Sequence, residues 1–236
     1  MSETIKIEAI QPWSNLIYRI AMPDNITQGL IKHTDKMREN PDTPSYGKNL
    51  VGQVDEELEI NIRELPTNIP NFLINCSREW LFNQYNQGFG WEPSWNLKKE
   101  DLNVQFISMW TVSQRDGEYN PIHTHPAAAV SVSGVLYLKI PEYKEDKKDT
   151  TKPHKQRRDD GSLVFTNNAG LDRRYCVSNF NVNPKVGELY LFPGMQPHQV
   201  YPFRSVDGKG ERRSISFNIV NAHETQQQNK GITLND

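Results

Sequence analysis

Two histidines separated by one residue, His123 and His125 in the segment YNPIHTHP, could bind a metal ion. Alternate residues of an extended segment project to the same face, with Cα atoms about 6.5–7 Å apart. Two imidazoles at that spacing can converge on one metal at the bond lengths of about 2 Å that metals require. Pro121 and Pro126 restrict the backbone around the pair. The pair alone also fits two exposed histidines at a strand end, so both interpretations stay open.

A third histidine, His198, follows a strand-like run and a Pro-Gly turn in GELYLFPGMQPHQVYPF. About 70 residues separate it from His125. Two ligands on one strand and a third on a distant strand are typical of an iron-binding jelly roll. The three histidines together therefore favour a metal site over exposed side chains.

The last strand-like run, ERRSISFNIV, divides its side chains by polarity. Alternation places Arg212, Ser214 and Ser216 on one face and Ile215, Phe217 and Ile219 on the other. The apolar face is expected to pack in the core of the sandwich, and the polar face predicts a cavity wall with Arg212 at its end. A guanidinium there can bind a carboxylate bidentately, which a lysine cannot do. Arg213 falls on the apolar side and is expected to reach solvent at the start of the strand. A solvated strand end would also explain both arginines.

Short strand-like runs after residue 100 must position these side chains. Turn residues separate the runs and no helical period intervenes, which predicts an antiparallel sandwich or barrel. Before them, residues 25–39 and 69–86 have helical patterns, with Cys76 on the apolar stripe of the second, and residues 5–20 predict edge strands. The predicted fold class is α+β, mainly β, with N-terminal helices supporting the strands. The runs are NVQFISMWTV, AVSVSGVLYLKI, SLVFTN, GELYLFPG and RSISFNIV.

Composition limits the classes of partner. Lysine and arginine total 27 and aspartate and glutamate 29, and the resulting net charge of −2 argues against bulk nucleic-acid binding. No stretch approaches the roughly 20 apolar residues of a membrane span, and the N-terminal residues lack the pattern of a secretory signal. With only two cysteines, these features predict a cytoplasmic protein. Residues 142–160 contain seven basic and six acidic side chains and predict an exposed connection, or a lid or docking segment.

Four motifs in this order resemble a family of Fe(II)- and 2-oxoglutarate-dependent oxygenases found in bacteria and phages. They are HTHP (123–126), SGVLYLKIP (133–141), GELYLFPGMQPH (187–198) and RRSISFNI (212–219), within a match of about residues 103–220. The resemblance implies a double-stranded β-helix, the cupin-like jelly roll, in a single domain over residues 1–236. Residues 1–100 would then form the helical support and edge strands, residues 101–222 the jelly-roll core, and residues 223–236 a C-terminal tail.

The resemblance also implies roles for the candidate residues. Arg212 and Ser214 would bind the distal carboxylate of the cosubstrate 2-oxoglutarate, and Tyr137 would place its hydroxyl against that carboxylate. The implied reaction hydroxylates an unidentified C–H substrate, a small molecule or a peptide, with release of succinate and CO₂. The oligomeric state is open, and a homodimer is compatible with the pattern. The implied Fe(II) ligands are His123, His125 and His198.

The chain departs from the wider superfamily at the second ligand, where an HxD or HxE motif is usual and this sequence has His125. Asp116 or Glu118, a few residues upstream, could supply a carboxylate instead. Neither shares the strand spacing of the histidine pair, so we expect three histidine ligands.

Two other functions remain open. One is a cupin-type dioxygenase with three histidines that binds its substrate without 2-oxoglutarate, and the other is a non-catalytic jelly roll with a binding or structural role. Arg212 separates the first alternative from the oxygenase, because only the oxygenase needs it to hold 2-oxoglutarate. Trp110, Tyr119 and Arg115 lie near the histidine pair in sequence and could line a substrate channel, or be ordinary core or surface residues.

Overall fold

The computed structural model describes residues 6–10, 16–86, 98–125, 130–144, 159–167 and 178–222. Its two α-helices are α1 (Asp24–Glu39) and α2 (Asn68–Asn86). No helix within these ranges combines the length and the apolar character needed to cross a membrane. The ten strands are β1 (Ile7–Ile10), β2 (Ile17–Ala21), β3 (Val104–Gln114), β4 (Asn120–His123), β5 (Val132–Lys139), β6 (Leu163–Thr166), β7 (Asn179–Val182), β8 (Glu188–Pro193), β9 (His198–Val200) and β10 (Arg212–Asn221).

The strands form two antiparallel sheets. The larger sheet has the order β1-β2-β8-β5-β10-β3, and the smaller has the order β4-β9-β6-β7. The N-terminal strands β1 and β2 therefore extend the larger sheet at the edge opposite β3. This arrangement confirms the mainly β jelly roll and the two predicted helices. The sequence did not predict β7 and β9, because strands of three or four residues show too little alternation.

The alternation of β10 separates two environments. Ile215, Phe217 and Ile219 are fully buried in a cluster that also contains Leu30 of α1 and Leu73 of α2. The sequence predicted that this face packs in the core of the sandwich, but it packs against the two helices instead, because the polar face of β10 is the one turned towards the smaller sheet. A second cluster joins the opposite face to the smaller sheet, through Tyr137, Leu163, Phe165, Tyr190 and Phe192.

The connection between the helices adds an irregular edge to the larger sheet. Glu56 and Glu59 form antiparallel bridges to Ser113 and Trp110 of β3. The amide of Ser113 donates to the carbonyl of Glu56 at 3.0 Å, so the connection is bonded directly to the sheet. Residues 56–59 thus lie beside β3, on the side away from β10.

Arg213 is not at the surface, and the prediction that it reaches solvent is wrong. Its side chain is fully buried, with Nη1 at 2.7 Å from Asp35 and Nη2 at 2.5 Å from Glu211. The same Nη1 donates to Thr34 at 3.0 Å. The physical reason is that α1 covers this end of β10 and brings a carboxylate with it, which alternation along one strand cannot show.

Some expectations concern residues that the structure does not describe. Residues 145–158, most of the charged segment 142–160, lie outside the described ranges, as does the tail at residues 223–236. Cys76 lies within them and is buried in the helix-covered core, as predicted.

Candidate functional site

Three histidines from two strands meet between the sheets. His123 on β4 is the cross-strand partner of His198 on β9, and His125 follows two residues after His123. The metal-binding atoms of the three side chains all lie within 4.8 Å of one another. The ring centroids of His123 and His198 are 4.3 Å apart, and that of His125 lies 5.1–5.4 Å from both. The predicted grouping of the three histidines is therefore present.

The hydrogen bonds of His123 and His198 leave one ring nitrogen available on each. Nδ1 of His123 lies 2.8 Å from the carbonyl of Pro121, and Nδ1 of His198 lies 2.8 Å from the carbonyl of Gln196. A carbonyl oxygen can only accept, so Nδ1 carries the proton in both rings. The remaining nitrogen, Nε2, then has a free lone pair of the kind that binds a metal.

His125 reaches the same state through side chains instead of carbonyls. Its Nδ1 lies 2.7 Å from Oδ1 of Asn218 and 2.6 Å from Oγ of Ser133. Ser133 in turn donates to Oδ1 of Asn218 at 2.9 Å. The amide oxygen therefore accepts from both neighbours, and Nε2 of His125 is left free.

Ser133 and Asn218 were not among the predicted site residues. They are direct cross-strand partners on β5 and β10. Asn218 continues the alternation of Arg212, Ser214 and Ser216, so the polar face of β10 was the signal that could have identified it. Ser133 offered no comparable pattern, because its partner lies 85 residues away.

Burial keeps the three imidazoles neutral. It lowers the pKa of His123. Burial and the neighbouring histidines together lower the pKa of His125 to about 4 and hold that of His198 well below its ordinary value. Neutral imidazoles with free Nε2 atoms suit Fe(II) and similar transition metals, so the donor set fits the metal that the resemblance implied.

The two carboxylates considered as alternative ligands are engaged elsewhere. Asp116 accepts from the amide and the hydroxyl of Ser205, at 2.9 and 2.6 Å. Glu118 accepts from the amides of Asp55 and Arg115, at 3.1 and 2.7 Å. Within the described residues, neither belongs to the metal-binding group.

Arg212 lies in the same cavity wall and is 1% exposed. It donates through Nε to the carbonyl of Gly161 at 3.1 Å, through Nη2 to the hydroxyl of Tyr137 at 3.2 Å, and through Nη1 to Oε1 of Gln114. These partners are neutral, and no carboxylate of the described residues forms an ion pair with Arg212. Three of the five guanidinium N–H groups are used, which leaves one on each Nη for a bidentate anion.

Tyr137 and Ser214 both lie beside Arg212 but in different positions. Tyr137 is fully buried, and its ring lies beneath the guanidinium with 4.8 Å between Cζ and the ring centroid. Burial raises the pKa of Tyr137 to about 12, so its hydroxyl keeps its proton. Ser214 lines the cavity, whereas Tyr137 is not among the lining residues. Contact of the Tyr137 hydroxyl with a bound carboxylate stays a prediction.

The histidines and Arg212 open on one cavity of about 390 Å³. Along its sheet wall, the polar residues of β10 lie beside both apolar and polar side chains of β3 and β5, so the floor is mixed in character. The cross-strand neighbours on this face are Gln114 beside Arg212, Val112 and Tyr137 beside Ser214, Trp110 and Val135 beside Ser216, and Ser108 and Ser133 beside Asn218.

Of the three residues considered for a substrate channel, the structure places one in the cavity. Trp110 lines it and stacks on Tyr46 at a centroid distance of 5.1 Å. Tyr119 is 42% exposed, and neither it nor Arg115 is among the lining residues of the described chain. The cavity also contains Glu57, which the sequence analysis did not single out.

Residues 108–218 match a protein family described as "Putative 2OG-Fe(II) oxygenase". The matched region contains all six predicted site residues. A search of curated proteins found no match.

Solved structures with a similar fold include several prolyl hydroxylases. A prolyl-4-hydroxylase from Pseudomonas putida is 18% identical, with a TM-score of 0.52 over 87% of this chain and 92% of that one. A prolyl hydroxylase from Trichoplax adhaerens, in complex with a hypoxia inducible factor oxygen degradation domain peptide fragment, is 12% identical, with a TM-score of 0.55 over 89% and 86%. The viral collagen prolyl hydroxylase of Paramecium Bursaria Chlorella virus-1 is 15% identical, with a TM-score of 0.50 over 86% and 94%. At these identities the likeness concerns the fold.

Proposed function

Because residues 108–218 match the model of a 2OG-Fe(II) oxygenase family, whose members use Fe(II) and 2-oxoglutarate, we propose that this protein hydroxylates a C–H bond of its substrate. One observation carries the proposal: three neutral imidazoles and a buried guanidinium without an acidic partner open on the same cavity. The first group suits a divalent metal, and the second requires an anion.

In this proposal His123, His125 and His198 hold Fe(II) through Nε2. The carbonyls of Pro121 and Gln196 fix the orientation of two rings by accepting from Nδ1. Such partners of the second ring nitrogen also make the imidazole a better ligand. Each ring is thus held before the metal binds, which reduces the ordering cost of binding.

Arg212 binds the distal carboxylate of 2-oxoglutarate through its two free N–H groups. Tyr137, Gln114 and the carbonyl of Gly161 hold the guanidinium in one orientation, so the two donors are aimed in advance. Ser214, one step along the same face of β10, can donate its hydroxyl to the same carboxylate. Charge-assisted hydrogen bonds of this kind contribute about 1.5–3 kcal/mol each.

Bound Fe(II) and 2-oxoglutarate together supply the oxidation, in which O₂ converts 2-oxoglutarate to succinate and CO₂ and provides one oxygen atom for the substrate C–H bond. The chain contributes positioning and the exclusion of water. Trp110, Val112 and Val135 cover the cavity wall between Arg212 and the histidines, which limits water beside the reacting groups.

Arg212 also argues against the cupin-type dioxygenase that binds its substrate without 2-oxoglutarate. Such an enzyme has no need of a buried, unneutralised guanidinium, whose desolvation costs several kcal/mol unless an anion arrives. A non-catalytic jelly roll would likewise give no ligand to the three neutral imidazoles, whose Nε2 atoms are free.

Anaerobic addition of Fe(II) and then 2-oxoglutarate to the purified protein tests the proposal. We expect a weak visible charge-transfer band, and succinate on exposure to air. His198→Ala should remove both signals, whereas Gln199→Ala, a change at the next position of β9 away from the cavity lining, should retain them. Absence of the band and of succinate in the unaltered protein would contradict the proposal.

A further inference from the structure

Glu57 is the acidic residue of the cavity, and its backbone is held on the larger sheet. The bridges from Glu56 to Ser113 and from Glu59 to Trp110 set a register in which Glu57 lies opposite Val112. The carbonyl of Glu57 also accepts from the amide of Tyr46 at 2.8 Å. Its side chain lines the cavity, as that of Val112 does.

One oxygen of the Glu57 carboxyl group, Oε1, is buried without a hydrogen-bond partner among the described residues. The residue is 2% exposed. Burial, together with the negative charge of Glu118, raises the pKa of Glu57 to about 7. A buried carboxyl oxygen without a hydrogen-bond donor destabilises the folded protein. A ligand that supplies a donor to Oε1 would remove this cost.

Arg212 does not satisfy this carboxyl group, although both residues line the same cavity. The segment that carries Glu57 pairs with β3, and β3 pairs with β10. The strand β3 therefore lies between Glu57 and the strand that carries Arg212. No ion pair joins Glu57 to a basic residue of the described chain. The cavity therefore offers one cationic and one anionic group that do not neutralise each other.

The groups around Glu57 suit a cation. Tyr46 and Trp110 are stacked in the adjoining wall, and aromatic faces attract ammonium and guanidinium groups. Gly52 lies so close that a Cβ there would come 3.0 Å from Oε1 of Glu57 and would collide with the side chain of Asn120. Residue 52 therefore cannot carry a side chain unless Asn120 and the carboxyl group of Glu57 move.

We propose that Glu57 binds a cationic nitrogen of the substrate, an ammonium or a guanidinium group, and so selects a basic substrate. That the bound cation is a substrate rests on the proposed oxygenase function, but the binding of the cation to Glu57 needs no iron. Arg212 would take the anionic cosubstrate and Glu57 the cationic substrate, so each charge in the cavity has a separate ligand.

Binding of simple amines to the protein without added metal tests this assignment. The probes are n-alkylammonium ions from ethyl to hexyl, each compared with the n-alkanol of the same length, at pH 8. Tryptophan fluorescence reports binding, since Trp110 lines the cavity. We expect the best alkylammonium ion to bind at least about tenfold more tightly than its alcohol. Equal affinities in the unaltered protein would overturn the proposal.

Two variants locate the effect. Glu57→Gln keeps the size of the side chain and should abolish the preference for the ammonium ion, whereas Glu59→Gln, at an exposed position of the same segment, should preserve it. A preference that persists in Glu57→Gln would equally overturn the assignment. The charge-transfer band with Fe(II) and 2-oxoglutarate is a separate measurement. If Glu57→Gln shows the band but has lost the preference for the ammonium ion, both proposals are supported. If the unaltered protein shows no band, that result counts against the oxygenase proposal alone.

Discussion

Arg212 and Arg213 are adjacent on β10 and equally buried, at 1% and 0% exposed, but their surroundings differ in charge. Arg213 lies on the helix-covered face with the carboxylates of Asp35 and Glu211. Arg212 lies on the cavity face, and its partners among the described residues are neutral. One strand thus carries a guanidinium that two carboxylates neutralise and another that no described carboxylate neutralises.

The environment of Arg213 is a balanced network. Arg38 pairs with Glu56 and Glu211, and Lys139 pairs with Asp35. Three basic and three acidic side chains, those of Arg38, Lys139, Arg213, Asp35, Glu56 and Glu211, therefore tie α1, the residue 56–59 edge, β5 and β10 together. The difference between the two arginines indicates that burial alone does not single out a candidate binding residue, whereas burial without a counter-charge among the described residues does.

Replacing Arg212 should give the largest effect. For Arg212→Gln we expect the KM for 2-oxoglutarate to rise by about 100-fold or more, because two charge-assisted hydrogen bonds are lost. Arg212→Lys should raise the KM for 2-oxoglutarate nearly as much, since an ammonium group lacks the planar, two-donor geometry of a guanidinium. Succinate release at varied 2-oxoglutarate concentration measures both. A KM within threefold of the unaltered protein in both variants would contradict the assigned role.

The matched change at Arg213 should affect stability instead. Arg213→Gln removes a fully buried guanidinium that the carboxylates of Asp35 and Glu211 share, and we expect a loss of about 2–4 kcal/mol in the free energy of unfolding. Urea denaturation measures this loss. The KM for 2-oxoglutarate at a temperature where the variant is folded should stay within twofold. A selective rise in KM with unchanged stability would remove the contrast between the two residues.

Glu57, the acid that Arg212 does not neutralise, should make stability depend on pH. Its pKa is raised from 4.5 to about 7 in the folded protein. The folded state then binds the proton more tightly than the unfolded state, so stability is highest below pH 4.5 for this group and falls as the pH rises towards 7. The fall is on the order of 3 kcal/mol. Glu57→Gln should remove it, as urea midpoints at pH 5 and pH 8 can show. Identical pH dependence in both proteins would mean that Glu57 is solvated.

Asp35, on the Arg213 side, should show the opposite sign and a smaller effect. Hydrogen bonds from Lys139 and Arg213 lower the pKa of Asp35, against the effect of burial. Its stabilising contribution is present above the unfolded value of 3.8 and is lost as the pH falls through the lower folded value. Since the side chain is 42% exposed, solvent screening limits the effect to a few tenths of a kcal/mol. In Asp35→Asn, the urea midpoint should therefore decrease less between neutral and acidic pH than in the unaltered protein. An identical decrease in both proteins would show that the ion pairs of Asp35 do not contribute to stability.

The spacing of residues within single strands predicted which side chains of the candidate site share a face. His123 and His125 share a face because they are two residues apart in an extended segment, and the same rule placed Arg212 and Ser214 together on the cavity side. These inferences need only the geometry of one strand. The sequence could also have indicated Asn218 by the same rule.

Other parts of the site depend on contacts between distant segments. Glu57 faces the cavity because residues 56–59 add to the edge of β3, more than 50 residues further along the chain. Nothing in the local sequence around Glu57 distinguishes it from Glu56, which turns to Arg38 instead. Strand pairing decided which of the two neighbours became part of the cavity.

By itself, therefore, the sequence determined the mainly β class, the three clustered histidines as a set and the identity of the cavity arginine, since periodicity of two fixes side-chain direction within a strand. Only the tertiary structure decided that Arg213 is buried with Asp35 and that Oε1 of Glu57 has no donor among the described residues. The reason is physical: alternation says to which side of its own strand a side chain points, but whether a charge on that side is neutralised depends on which distant segment packs there.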